Sequence, residues 1–222
     1  MTRLTVHVVA HEKRQEMALA LAEAVQAEHL WVDDGKLGEW RNHMRAWKSA
    51  ADSDATHAVI LQDDAVPIPD FRKHVEAAVK QRPDKLLSLY LGTHRPRREE
   101  VLRTVAKAEK SSASWIVSDS LHWGVAVVVP VALISEILST VRSSRLPYDQ
   151  RISEWAHATG ATVYYTWPSL VNHADQPTVI RGRSPRQGVR VAHRVGVPSW
   201  NEKEVRIEAT NTNFLASKRD IQ

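Results

Sequence analysis

Apolar and polar positions change period along the chain, and the changes mark out alternating elements. Leu4 to Ala10 is an almost unbroken apolar run and predicts a buried strand. A polar turn, His11-Glu12-Lys13-Arg14, opens a helix with Met17, Leu19, Leu21 and Val25 as its apolar positions. Leu30-Trp31-Val32 predicts a second strand, closed by Asp33-Asp34-Gly35. From Gly38 to Asp52, Trp40, His43, Met44, Trp47 and Ala51 recur at helical spacing. Strands follow at Thr56 to Leu61, Leu86 to Gly92, Trp115 to Val117, His122 to Val129 and Thr162 to Trp167. Between them lie a helix over Phe71 to Gln81, with Asp70 placed to cap it and Pro83 beyond it, and one over Glu99 to Lys110. A helix begins at Pro130 and buries Leu133, Ile134, Ile137, Leu138 and Val141; another is opened by Pro147-Tyr148-Asp149 and stops at Gly160. This alternation predicts an α/β fold, a Rossmann-like mixed and mainly parallel sheet flanked by helices, with some late strands antiparallel or peripheral.

The third strand runs straight into Gln62-Asp63-Asp64-Ala65, ahead of the breaker Pro67-Ile68-Pro69. Strand ends are where open α/β sheets place their ligands. Two adjacent carboxylates repel unless a cation, a proton or water relieves them. A metal-bound phosphate ligand and a solvated acidic turn both satisfy that condition. No GxGxxG or GxxxxGK[ST] motif is present, which argues against a dinucleotide fold and a P-loop.

Composition narrows the chemistry. The chain has 222 residues, 43% hydrophobic and 25% charged, and no apolar run of membrane-spanning length, so a cytoplasmic globular protein is expected. With no cysteine, any metal must be held by oxygen and imidazole. The formal charge is only +4, but Arg181, Arg183, Arg186, Arg190 and Arg194 fall in an acid-free stretch between Asp175 and Glu202. Such a segment suits a diphosphate or a nucleic-acid backbone. Eight Trp against two Phe and four Tyr provide rings for packing or for stacking on sugars and bases.

Four passages, in order, resemble the family-25-type lipooligosaccharide glycosyltransferases of the GT-A class. The helix with Trp40, His43 and Trp47 followed by Ile60-Leu61-Gln62-Asp63-Asp64-Ala65 resembles their "SHxxxW … ILEDDA" passage. His122-Trp123-Gly124 looks like their acceptor-side strand, Pro147-Tyr148-Asp149 like their acidic catalytic segment, and Pro168-Ser169-Leu170-Val171-Asn172-His173 like their closing "PSLVxH" motif. The resemblance covers residues 1–180 and implies a GT-A catalytic domain there, with 181–222 as a basic C-terminal extension or lid.

It further implies a nucleotide-diphosphate sugar donor, a UDP-sugar first among them, and manganese or magnesium held by Asp64 and His173. Asp63 supports the donor. Gln62 stands where the family has an acid, and an amide brings no charge. His11, Glu12 and Arg14 are expected to contact the donor, with Arg181 and Arg183 closing over the diphosphate. Asp149 is the expected base in an inverting transfer, with Asp119 as substitute, although a helix-capping role for Asp149 fits its position equally. His122 and Trp123 are expected on the acceptor side. The acceptor is a hydroxylated base in DNA, as in phage-type DNA modification, or alternatively a glycan or glycolipid. A non-catalytic nucleic-acid-binding protein that keeps a transferase-like fold is the competing class.

Overall fold

The computed structural model describes residues 2–93, 97–179 and 189–208. The fold is mixed α/β, with a large, mostly parallel central sheet flanked by helices. Eight strands lie in the order β10-β6-β8-β5-β7-β3-β1-β2. They are β1 (Leu4–His11), β2 (His29–Asp33), β3 (His57–Gln62), β5 (Leu86–Ser88), β6 (Trp115–Ser118), β7 (Ala126–Pro130), β8 (Val163–Thr166) and β10 (Glu204–Arg206). A separate two-stranded sheet joins β4 (Ala65–Pro67) to β9 (Val171–His173).

The helices are α1 (Gln15–Ala24), α2 (Glu39–Ala51), α3 (Phe71–Gln81), α4 (Arg98–Ser111), α5 (Val131–Thr140) and α6 (Tyr148–Thr159). β1 pairs in parallel with β2 on one side and β3 on the other. The chain therefore leaves β1 through α1 toward β2 and returns through α2 to β3, and the right-handed crossover rule puts those two helices on opposite faces. The crevice where the two connections diverge opens at the carboxyl ends of β1 and β3, the position at which such sheets bind ligands.

Several sequence expectations are corrected by packing. β7 is antiparallel to both neighbours, as expected of a late strand, but it is not peripheral: it sits between β3 and β5 because its Val127, Val128 and Val129 are apolar on both faces. The expected strand from His122 is shorter: residues 122–125 form an irregular segment before β7. β5 stops at Ser88, after which the carbonyl of Leu89 accepts from Leu170 and Val171 and that of Leu91 from His193, while the Leu89 amide still donates to Ala126 of β7. Leu19 is 53% exposed, because α1 buries the Ala18, Leu21 and Val25 stripe about a third of a turn away. Asp70 does precede α3, but it adopts a left-handed backbone and its side chain caps nothing.

The described part of the expected C-terminal extension belongs to the same body. Val191 accepts from the Thr93 amide, Arg194 accepts from Ser169, and β10 extends the main sheet beside β6. No helix among the described residues is long and apolar enough to cross a membrane.

Candidate functional site

One cleft of about 580 Å³ opens at the carboxyl ends of β1, β2 and β3. Each wall has a local cause. β1 ends at His11 and turns at once into a 3-10 turn, Glu12–Arg14, which throws the Arg14 side chain across the end of β3. β2 ends at Asp33, whose two carboxylate oxygens accept the amides of Leu37 and Gly38 at 3.0 and 2.9 Å, folding the loop before α2 against the opening. β3 delivers Gln62, Asp63 and Asp64. The pairing of Ala65 with His173 between β4 and β9 then brings a residue from the far end of the fold beside Asp64.

The floor is an ion-pair network. Nη1 of Arg14 donates to Asp63 Oδ1 at 2.8 Å and to Asp64 Oδ2 at 2.6 Å. Its Nη2 donates to the carbonyl of Pro177 at 2.7 Å. Asp63 Oδ2 accepts the His11 amide at 2.9 Å. His173 Nε2 lies 3.3 Å from Asp64 Oδ2. All three side chains of the central trio are nearly closed to solvent, Arg14 at 10% and both carboxylates at 7%.

The two carboxylates do not titrate alike. Burial raises the Asp63 pKa, and its hydrogen bonds only partly oppose that. Burial pushes Asp64 the same way, but the bond from His173 and the charge of Arg14 outweigh it and hold Asp64 below the usual carboxylate range. Arg14 is itself disfavoured by burial, and the carboxylates more than restore its charge.

The expected divalent-metal site does not fit these residues. The amide of Asp175 donates to Nδ1 of His173 at 2.8 Å, so that nitrogen carries the lone pair and Nε2 carries the proton facing Asp64. A histidine so bonded offers no lone pair to a cation beside Asp64. Both oxygens of Asp63 are engaged, and so is Oδ2 of Asp64; only the buried Oδ1 of Asp64 has no hydrogen-bond partner. Among the described residues, no group of three or more His, Asp or Glu side chains is placed to hold a metal. Gln62 carries no charge to add, and its amide donates to Glu39 Oε1 at 3.3 Å.

Of the residues singled out from sequence, His11, Glu12, Arg14, Asp63, Asp64, Trp123, Asp149 and His173 all line this cleft. Asp149 lies in the first turn of α6, where Pro147 and not Asp149 holds the cap position; its Oδ1 accepts the Gln150 amide at 2.9 Å. Trp123 packs edge-on against Tyr90, ring centroids 6.1 Å apart. His122 is not brought to the cleft. Its ring is buried, stacked over Tyr165 and bonded to Ser118 Oγ at 3.1 Å, and it is not among the lining residues. Asp119, the substitute base, stands with Ser120 and His157 away from the lining residues. Arg181 and Arg183 lie outside the described residues.

Sequence reasoning passed over three contributors, Asp33, Glu39 and Tyr148, and named Arg190 only as one of the five arginines of the basic stretch. Asp33 was legible as a strand-end acid of the same kind as Asp64. Arg190 bonds Asp175 Oδ1 at 2.9 Å and the Gln176 carbonyl, which ties residues 175–179 to the cleft edge. The described lining holds seven carboxylates and four basic side chains, an acidic balance that the net charge of the chain conceals. No protein-family model matches the chain, and no curated protein matches it.

Proposed function

We propose that this protein is a glycosyltransferase of GT-A type that moves a sugar from a nucleoside-diphosphate donor to an acceptor hydroxyl. The observation that carries the reading is convergence. Arg14 from the end of β1, Asp63 and Asp64 from the end of β3, His173 from β9 and Asp149 from the start of α6 meet in one cleft at the switch point of the sheet.

The chemistry follows from what these groups can do. The leaving diphosphate carries charge that basic side chains must meet, and Arg14 and Arg190 stand at the cleft for that purpose. Asp149, from the first turn of α6, takes the proton from the acceptor hydroxyl. The freed oxygen bonds to the anomeric carbon, and the bond from that carbon to the diphosphate breaks, releasing the nucleoside diphosphate with its electron pair. Attack from the wall opposite the leaving group inverts the anomeric centre. Trp123 offers an aromatic edge to the sugar or acceptor. A largely acidic wall tolerates a neutral base or sugar better than a phosphate chain, so a hydroxylated base in DNA would enter alone while its backbone stays at the rim. A glycan acceptor meets the same wall.

The test is release of nucleoside diphosphate from a panel of nucleotide sugars, with acceptors that include duplex DNA bearing hydroxymethylated bases. Release that is stimulated by one acceptor and falls at least about a hundredfold in Asp149→Asn is the expected result. A protein that binds DNA in a salt-sensitive way but turns over no donor would instead be the non-catalytic class.

A further inference from the structure

Two adjacent buried carboxylates need a counter-charge, and in this chain the counter-charge is covalently attached. Arg14 reaches both with one nitrogen, at 2.8 and 2.6 Å, and is anchored from its other nitrogen by the Pro177 carbonyl. The geometry points to Arg14 as the resident cation of the Asp63–Asp64 pair, standing where a transferase of this type would hold a divalent metal, so that the cleft binds its diphosphate without one. The part that concerns the donor rests on the glycosyltransferase reading; the part that concerns the ion pair does not.

Four features of the site agree with this assignment. The guanidinium is planar and permanently charged, which suits it to bridge two carboxylates in fixed geometry. His173 has its proton on the nitrogen that a metal would require bare, and a backbone amide enforces that tautomer. Gln62 removes the charge that a third acid would contribute, and it turns its amide to Glu39. Three of the other acids of the lining make little demand for a metal. Asp33 is satisfied by two backbone amides, and Glu12 and Asp34 are exposed, where water and salt screen them.

Arg14 also retains something to offer a ligand. A guanidinium has five N–H donors. Three have the acceptors just named, and two have none among the described residues. Arg14 lines the cleft, and those two are the donors it would turn to phosphate oxygens there. A metal would have to displace the arginine from both carboxylates and re-set the histidine tautomer before it could bind.

Manganese itself is the probe. The full chain is titrated with Mn²⁺ and the free ion is followed by its electron paramagnetic resonance signal. The expected result is that the wild-type chain takes up no stoichiometric ion, whereas Arg14→Ala, which leaves the carboxylates facing each other, binds one ion per chain at least about tenfold more tightly. Arg14→Lys, with one compact ammonium, is expected to stay metal-free. In parallel, uridine diphosphate binding to the wild-type chain is measured by calorimetry with chelator and with Mn²⁺, and the two affinities are expected to agree within about twofold.

Uptake of one tight Mn²⁺ by the wild-type chain overturns the proposal, and so does a loss of nucleotide binding of about tenfold or more on chelation. Should Arg14→Ala fail to fold, the wild-type titration decides the matter alone. No binding of any nucleoside diphosphate under either condition counts against the glycosyltransferase reading and leaves the ion pair to the manganese titration.

Discussion

The hydroxyl of Tyr165 accepts the backbone N–H of His122 at 2.8 Å and donates to the carbonyl of Ser120 at 2.8 Å. Both bonds are buried, and they hold the segment before β7 so that the His122 ring lies over Tyr165 instead of facing the cleft. Tyr148 is the contrasting case. Its ring is equally buried, but its hydroxyl makes no hydrogen bond of normal geometry among the described residues, with the Trp47 indole its one polar neighbour of note. Removing a hydroxyl that serves two backbone groups leaves both unsatisfied, whereas removing an unserved one costs only its packing. Tyr165→Phe is therefore expected to destabilise by about 1–3 kcal/mol and Tyr148→Phe by less than about 0.5 kcal/mol. Urea unfolding of the two variants measures the difference. Equal losses would show that the Tyr165 bonds contribute nothing.

The same histidine gives the fold a pH dependence. Burial, with the nearby charge of Arg97, lowers the His122 pKa from 6.5 to about 4. The folded value is below the unfolded one, so between these limits the unfolded chain holds a proton that the folded chain does not. Stability is then fully present above pH 6.5 and is lost as pH falls toward 4. The contribution is on the order of 3 kcal/mol. His7, lowered to about 4 by burial and by His29, acts in the same direction. His122→Asn should flatten the fall of the urea midpoint between pH 6.5 and 4. Wild-type and variant profiles that run parallel would rule His122 out as a source.

Gly124 is required for space. A Cβ at this position would lie 2.5 Å from Cδ1 and 2.7 Å from Cε1 of Tyr148. That ring has no room to retreat, since it stacks on His43 with centroids 3.8 Å apart and meets Trp47 edge-on. Gly124→Ala is expected to cost about 1–3 kcal/mol by overpacking. It should also disturb the wall that carries Asp149, so any donor turnover should fall with it. An unchanged thermal midpoint would contradict the crowding.

Much of this arrangement could be read from the chain because it depends on local pattern. The apolar runs of β1 and β3 are continuous, α3 ends ahead of Pro83 as its sequence demands, and Gly160 closes α6 in the left-handed conformation that glycine permits. Asp63 and Asp64 were legible as site residues because strand ends gather ligand groups, whereas Asp149 and His173 were named only through the order of motifs that resembles the glycosyltransferase family. What the sequence concealed depends on partners distant along the chain. Nothing local to Arg14 announces that it will bridge Asp63 and Asp64. Nothing local to His122 shows that Tyr165 will hold its backbone. The central place of β7 was hidden for the same reason, since order in a sheet is decided by pairing and not by the strand's own residues.

Gln62 offers a separate electrostatic test of the cleft. Its amide donates to Glu39 Oε1 at 3.3 Å, and both side chains are partly buried. Gln62→Glu would replace a donor with a second carboxylate at that distance. Neighbouring carboxylates raise each other's pKa, so the folded chain would hold protons more tightly than the unfolded one. The variant should match wild type below about pH 4, where both acids are protonated in either state, and lose stability as pH rises through the raised values. With partial exposure screening the repulsion, the loss at pH 7 is about 1 kcal/mol. Added salt should shrink it further. Urea midpoints of wild type and Gln62→Glu at pH 4 and pH 7 check this, and a gap of the same size at both values would mean that the variant acts through packing instead of charge.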